Sequence, residues 1–200
     1  MRYFIFLFFL CFELIAQGQI IVKETDGKQT FPLVSSNSKT LISYDENDFE
    51  VVKEAAHLFV EDIRSVTGKK LTLSGKQKTS AYMVIIGTVG QNRTIDRFVS
   101  EGKLDISPIH NGWEQYIIQT LDNPDKNIRK ALVIAGCDRR GTAYGVFALS
   151  EVMGVDPLYW WADVPVKQKN TLYVHITRYV SKAPSVKYRG IFINDEGWGI

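Results

Sequence analysis

One apolar stripe constrains the fold more than any other feature of this chain. Val52, Ala55, Ala56, Phe59, Ile63 and Val66 recur at three- and four-residue steps, the period of one helix face. The spacing predicts a helix from about Asp48 to Thr67. Asn47 stands where a cap belongs, with Glu50 three residues later in capping-box spacing. Gly68 is placed to end the helix in a left-handed conformation. Such a stripe must be buried against something. Ala81 to Ile86 is apolar on both faces, as a central strand covered on both sides would be. A second helix is expected from about Gly141 to Met153, stopping at Gly154. It is apolar almost all round and so expected to be well buried.

Weaker signals fill the intervals. Ile20 to Lys23 and Phe31 to Val34 read as short strands, with Asp26-Gly27 between them as a hairpin signal. Leu71 to Leu73 is a further short strand, and Ile95, Phe98 and Val99 suggest a short helix ending at Gly102. Tyr116 to Leu121 and Ala131 to Ala135 read as a hairpin, with turn residues at Asp122-Asn123-Pro124. Leu172 to Thr177 alternates like a strand. Together these predict an α/β class: a layered domain of mixed sheet with packed helices, over residues 19–180. Ser181-Lys182-Ala183-Pro184 reads as a linker, and Val186 to Ile193 as a new strand in residues 181–200.

The N-terminus has the order of a secretory signal over residues 1–18. Arg2 supplies the charge, Tyr3 to Ala16 the apolar run, and Ala16-Gln17-Gly18 the small residues of a cleavage site. The run is short for a membrane span, so export to the periplasm or medium is expected without stable membrane insertion. The formal net charge is +2 and no Lys/Arg run exceeds two residues, which gives no electrostatic case for nucleic acid. Of the two cysteines, Cys11 would leave with the signal. Cys137 alone forms neither an intramolecular disulfide nor a cysteine zinc site, and reads as a small buried residue. His57 lies off the apolar stripe and His175 within a strand, neither with a partner at metal spacing, so no metal is expected. Gly136 and Gly141 have P-loop spacing, but Thr142 follows where a lysine is required. The structural alternative gives Asp138 the start of the second helix and the glycines a close helix–sheet approach. Arg139 and Arg140 could bind carboxylates or only pair with acidic neighbours.

Two segments could carry function. Pro157 to Asp163 reads as a loop bearing Tyr159, Trp160 and Trp161 in a row, suited either to stacking on sugar rings or to plugging a domain interface. The expected strand ending at Ile193 is followed at once by Asn194-Asp195-Glu196, and barrel enzymes place their active sites at such C-terminal strand ends. Alternation sends Arg189, Ile191, Ile193 and Asp195 one way and Phe192, Asn194 and Glu196 the other. Asp195 and Glu196 therefore do not face one pocket while the strand persists. Inverting glycosidases need two carboxyls about 6.5–9.5 Å apart, so a partner from a later strand is required.

Two stretches carry a family resemblance: "CDRRGTAYGVFALSEVMGVDPLYWWADV", Cys137 to Val164, and "PSVKYRGIFINDEGWG", Pro184 to Gly199. Both resemble glycoside hydrolase family 115, the xylan α-1,2-glucuronidases. The first helix with "TGKKLTL" and the segment "VIIGTVGQN" fit as well, although accessory domains of other glycosidases, such as domain 2 of the hexosaminidases, share those signals. The resemblance implies an N-terminal α/β domain, then the first strand of a (β/α)8 barrel truncated at Ile200. It implies inversion without a cofactor and release of (4-O-methyl)glucuronic acid from glucuronoxylan. Asp195 and Glu196 become pocket-lining catalytic candidates, with the main acid and base beyond Ile200 and the fragment alone inactive. Asn194, Trp198 and Arg189 become substrate-binding candidates, and Tyr159, Trp160 and Trp161 the interface to the barrel. Gly197 departs from an acidic residue in the family pattern, which bears on the loop after Glu196. A homodimer of the full-length protein is an open expectation. The alternative is a carbohydrate-binding or scaffold module without catalysis.

Overall fold

The computed structural model describes residues 19–190 and 192, with only the backbone at Trp160 and Trp161. The proposed signal segment and Asn194, Asp195, Glu196 and Trp198 lie outside the described residues.

The domain is a mixed α/β sandwich. Its strands are β1 (Ile21–Lys23), β2 (Thr30–Val34), β3 (Thr40–Ser43), β4 (Thr72–Ser74), β5 (Tyr82–Thr88), β6 (Tyr116–Asp125), β7 (Ile128–Gly136), β8 (Leu172–His175) and β9 (Arg178–Val180). The helices are α1 (Glu50–Thr67), α2 (Arg93–Ser100), α3 (Arg139–Met153) and the single turn α4 (Tyr159–Ala162). The main sheet runs β4-β3-β5-β7-β6-β9 and a small sheet runs β1-β8-β2. β4, β3, β5 and β7 are parallel, while β6 and β9 are antiparallel additions at one edge.

The central strands bury both faces, as the apolar pattern of β5 requires. Val84 and Ile86 face a core shared with α1, α3 and the small sheet. Met83 and Ile85 face a second core closed by Ile95 and Phe98 of α2 and by Ile109. β7 alternates in the same way, with Leu132 and Ile134 toward the first core and Ala131, Val133 and Ala135 toward the second. The whole predicted stripe of α1 is buried, and Gly68 caps it at φ 69°.

Several expectations are corrected. β1 and β2 form no hairpin: β8 lies between them and pairs antiparallel with both. The Asp26 carboxylate instead ties the turn by accepting from the Gly27 N–H and the Thr30 hydroxyl. Asn47 does not cap α1; it donates to Asp45, and the residue at the cap, Phe49, has no side-chain acceptor. The β6–β7 turn falls beyond Asp125, because residues 122–125 stay in β6 through an irregularity where Asn123 takes φ 48°. α3 is not buried all round: Tyr144, Phe147 and Val152 are exposed on its outer side. Tyr159 to Ala162 is a helical turn, where a loop is expected from the sequence. The strand expected over Val186 to Ile193 falls partly outside the described residues, and residues 186–190 have no ladder partner among those described. No helix among the described residues is long and apolar enough to cross a membrane.

Candidate functional site

The parallel strands β3, β5 and β7 end on one side of the sheet, and several of the domain's buried polar residues gather there. Asp48, Thr88, Asn92 and Thr142 are all nearly inaccessible. Asp48 accepts from the backbone N–H of Thr88 at 2.7 Å and of Phe49 at 2.8 Å. Thr88 and Thr142 join hydroxyl to hydroxyl at 2.9 Å, and Thr142 donates to the Asp138 carbonyl at 3.1 Å. Asn92 caps α2 by accepting from Thr94 and Ile95. Burial pushes the Asp48 carboxyl up, with the two backbone N–H bonds opposing it. The network ties the starts of α1, α2 and α3 to the sheet.

Gly136 to Gly141 does what its structural reading requires. A Cβ at Gly136 would meet the Thr142 nitrogen at 2.1 Å, and one at Gly141 the Gln115 carbonyl oxygen at 2.2 Å. Asp138 caps α3 by accepting from the Gly141 N–H at 2.7 Å. Its other oxygen accepts from the Glu114 N–H, also at 2.7 Å. Cys137 is partly buried, its sulfur accepts from the Gln115 N–H at 3.3 Å, and burial pushes its thiol up, away from nucleophilic character.

At the start of β6 the chain from Ser181 onward is fastened. Ser181 exchanges bonds with Tyr116, backbone to backbone at 2.9 Å and Tyr116 N–H to Ser181 Oγ at 2.8 Å. The Gln115 amide donates to the Ser181 carbonyl at 3.0 Å. Glu114 then holds the end of the segment. It is buried, with its backbone in the left-handed region at φ 53°. One carboxylate oxygen accepts from Arg140 at 2.9 Å and the other from Arg189. The Arg189 guanidinium sits 5.7 Å from the Trp113 ring centre and reaches the Tyr144 hydroxyl at 3.5 Å. Arg189 and then Arg140 hold the Glu114 carboxyl below the usual carboxylate range.

This arrangement is a clasp. With both carboxylate oxygens taken by guanidinium groups, Glu114 is poised neither to give nor to take a proton, so its chemistry is positional. Arg140 thus pairs with an acidic neighbour, the second of its two sequence readings. Arg189 is brought to Glu114, while Asp195, Glu196, Asn194 and Trp198 lie outside the described residues. Tyr159 is exposed on α4. No group of three or more His, Cys, Asp or Glu among the described residues is arranged to hold a metal. Glu114 was not singled out from the sequence: its partners lie 26 and 75 residues away, and no local spacing signals them.

By sequence, no known family profile and no characterised protein matches the chain. By structure there is a substantial match to BtGH115A, described as a family GH115 4-O-methyl-α-glucuronidase with specificity for decorated arabinogalactans. It covers 85% of this chain at 30% identity with a TM-score of 0.67. The fold is GH115-like. The chain spans 20% of the length of that protein. CpGH84D matches over 81% of this chain and 23% of its own, at 12% identity and a TM-score of 0.43. A Streptomyces plicatus N-acetyl-β-hexosaminidase matches over 81% and 25%, at 11% identity and a TM-score of 0.42.

Proposed function

We propose that this chain is the N-terminal part of an exported inverting glycoside hydrolase that releases glucuronic acid, or its 4-O-methyl form, from polysaccharide side branches. The observation that carries this reading is the 30% identity to a GH115 glucuronidase over 85% of the chain. The α/β domain is an accessory domain, and its task is to aim the segment leaving it. The bonds at Ser181 and the Glu114–Arg189 pair fix where residues 181–190 run, and Asn194-Asp195-Glu196 follow within a few residues. In this reading Asp195 and Glu196 line the uronate pocket, Asn194 and Trp198 bind substrate, Arg189 serves the clasp in place of the substrate role expected from the sequence, and a later strand supplies the opposing carboxyl. An inverting reaction needs only that pair and a water, so no cofactor is called for. The polysaccharide is glucuronoxylan or, as named for the structural neighbour, a decorated arabinogalactan.

The test is uronic acid release by the longest reading frame containing this chain, on glucuronoxylan and on glucuronic-acid-bearing arabinogalactan, beside Asp195→Ala. Release that falls by orders of magnitude in the variant supports both the activity and the position of Asp195. Release from neither polymer by the wild type refutes the reading and favours a carbohydrate-binding module without catalysis.

A further inference from the structure

Away from the clasp, a groove of about 470 Å³ runs between α1 and α3 and under residues 155–159. Its composition is unusual for a surface with nothing to do. Leu58, Phe147 and Tyr159 along it are 45%, 42% and 41% exposed. Four carboxyl side chains line it, from Glu61, Asp62, Glu151 and Asp156, and no Lys, Arg or His among the described residues does. Glu61 is already held by Arg64 and Lys70, and Asp156 is turned to the Leu158 N–H at 2.7 Å. Asp62 and Glu151 have no cation among the described residues.

The floor holds a second oddity. Ser150 is only 3% exposed, and its hydroxyl oxygen has no hydrogen-bond partner of good geometry among the described residues. Buried polar groups are nearly always satisfied, so an orphan in the wall of an apolar groove asks for a donor from outside. Asp62 lies beside it, and burial pushes that carboxyl up, with the nearby Ser150 hydroxyl opposing the shift only in part. A cation placed here would meet a carboxylate and a hydroxyl at once, with apolar side chains on either side.

We infer that this groove is a docking socket for a protein segment that presents an arginine between apolar side chains, the guanidinium meeting Asp62 and the Ser150 hydroxyl oxygen. Arginine fits better than lysine because its planar fork carries several donors in fixed directions and is weakly hydrated, so it serves two acceptors in a partly apolar site. Leu58 and Phe147 take the flanking apolar residues. The large exposed apolar side chains are then the contact surface, and the excess of carboxyls selects the sign of the partner.

The probe is the peptide acetyl-Phe-Arg-Leu-amide, compared with the same peptide carrying citrulline, which keeps the shape of arginine and removes its charge. Binding to the chain is followed by NMR titration. The expected result is saturable shifts at Leu58, Asp62 and Phe147, with the arginine peptide about tenfold tighter. In Asp62→Asn, checked for folding by circular dichroism, the two peptides become equal. Equal binding of both peptides to the wild type, no saturable shift at millimolar peptide, or a preference for arginine that survives Asp62→Asn each overturns the inference. The wild-type comparison stands even if the variant misfolds.

Discussion

Gly141→Ala tests the close approach of α3 to the backbone that enters β6. Gly141 sits in the first turn of α3, and an added Cβ would lie 2.2 Å from the Gln115 carbonyl oxygen and 3.0 Å from the Gln115 carbonyl carbon and nitrogen. These are backbone atoms, so no side chain can swing aside. The backbone entering β6 is also committed: the Gln115 carbonyl accepts from the Cys137 N–H at 2.9 Å, and the Gln115 N–H donates to the Cys137 sulfur at 3.3 Å. Relief requires α3 or β6 to move by about an ångström. Overpacking costs about 1–3 kcal/mol, and loosening the Cys137 bond about 1 more. Alanine returns about 1 kcal/mol of helix propensity over glycine. The net loss is about 1–3 kcal/mol, or about 2–12 °C in Tm for a domain of this size. Urea and thermal unfolding of the chain measure it directly. Gly68→Ala is the control: nothing lies within 4 Å of its Cβ, and its penalty is only the left-handed backbone at φ 69°, about 1–2 kcal/mol. The variant at 141 should in addition speed amide exchange at Ser181. A Gly141→Ala protein as stable as the wild type refutes the reasoning.

Asp138→Ala removes the α3 cap and the acceptor for the Glu114 N–H together; a loss of about 1–2 kcal/mol is expected in urea unfolding. Glu114 is held below its ordinary value of 4.5 by the two arginines, so the stability it lends the clasp is present above that pH and lost as pH falls through the depressed value. Limited proteolysis within 181–190 should therefore rise on acidification in the wild type and already be high at neutral pH in Glu114→Gln. Asp62 runs the other way. Its carboxyl is raised above 3.8, so the folded state binds its proton more tightly than the unfolded one, and stability falls as pH rises from 3.8 through the raised value. Asp62→Asn should flatten that part of the stability–pH curve, read from urea midpoints.

What was legible in the sequence was what depends on local period. The α1 stripe, the central position of β5, the β6–β7 pairing and the glycine ends of α1 and α3 each follow from residues within one element. What was not legible depends on partners far away. β1 and β2 look like a hairpin because Asp26-Gly27 is local, but β8 arrives from about 140 residues later and takes the place between them. β3 offers only Leu41 and Ile42 as a signal, and becomes a strand because β4 and β5 flank it. β9 takes its ladder from β6, with Arg178 also tied to Asp105. The same division separates the two parts of the clasp. Asp138 could be read as a cap from the helix that follows it. Glu114 could not, because its role is defined by Arg140 and Arg189, which converge only once the sheet is built.

A clasp made this way has a consequence for how the domain works. Arg140 belongs to α3, Glu114 to the approach to β6, and Arg189 to the outgoing segment, so the ion pair closes only after α3 has docked on the sheet. The direction of residues 181–190 is thereby made conditional on the folded core and not on the linker's own preferences. A segment aimed by a linker alone would sample many directions, since Ser181 to Pro184 offers no regular structure. Bonded at Ser181 and again at Arg189, it has two fixed points, and two fixed points on a short chain leave it little freedom of direction.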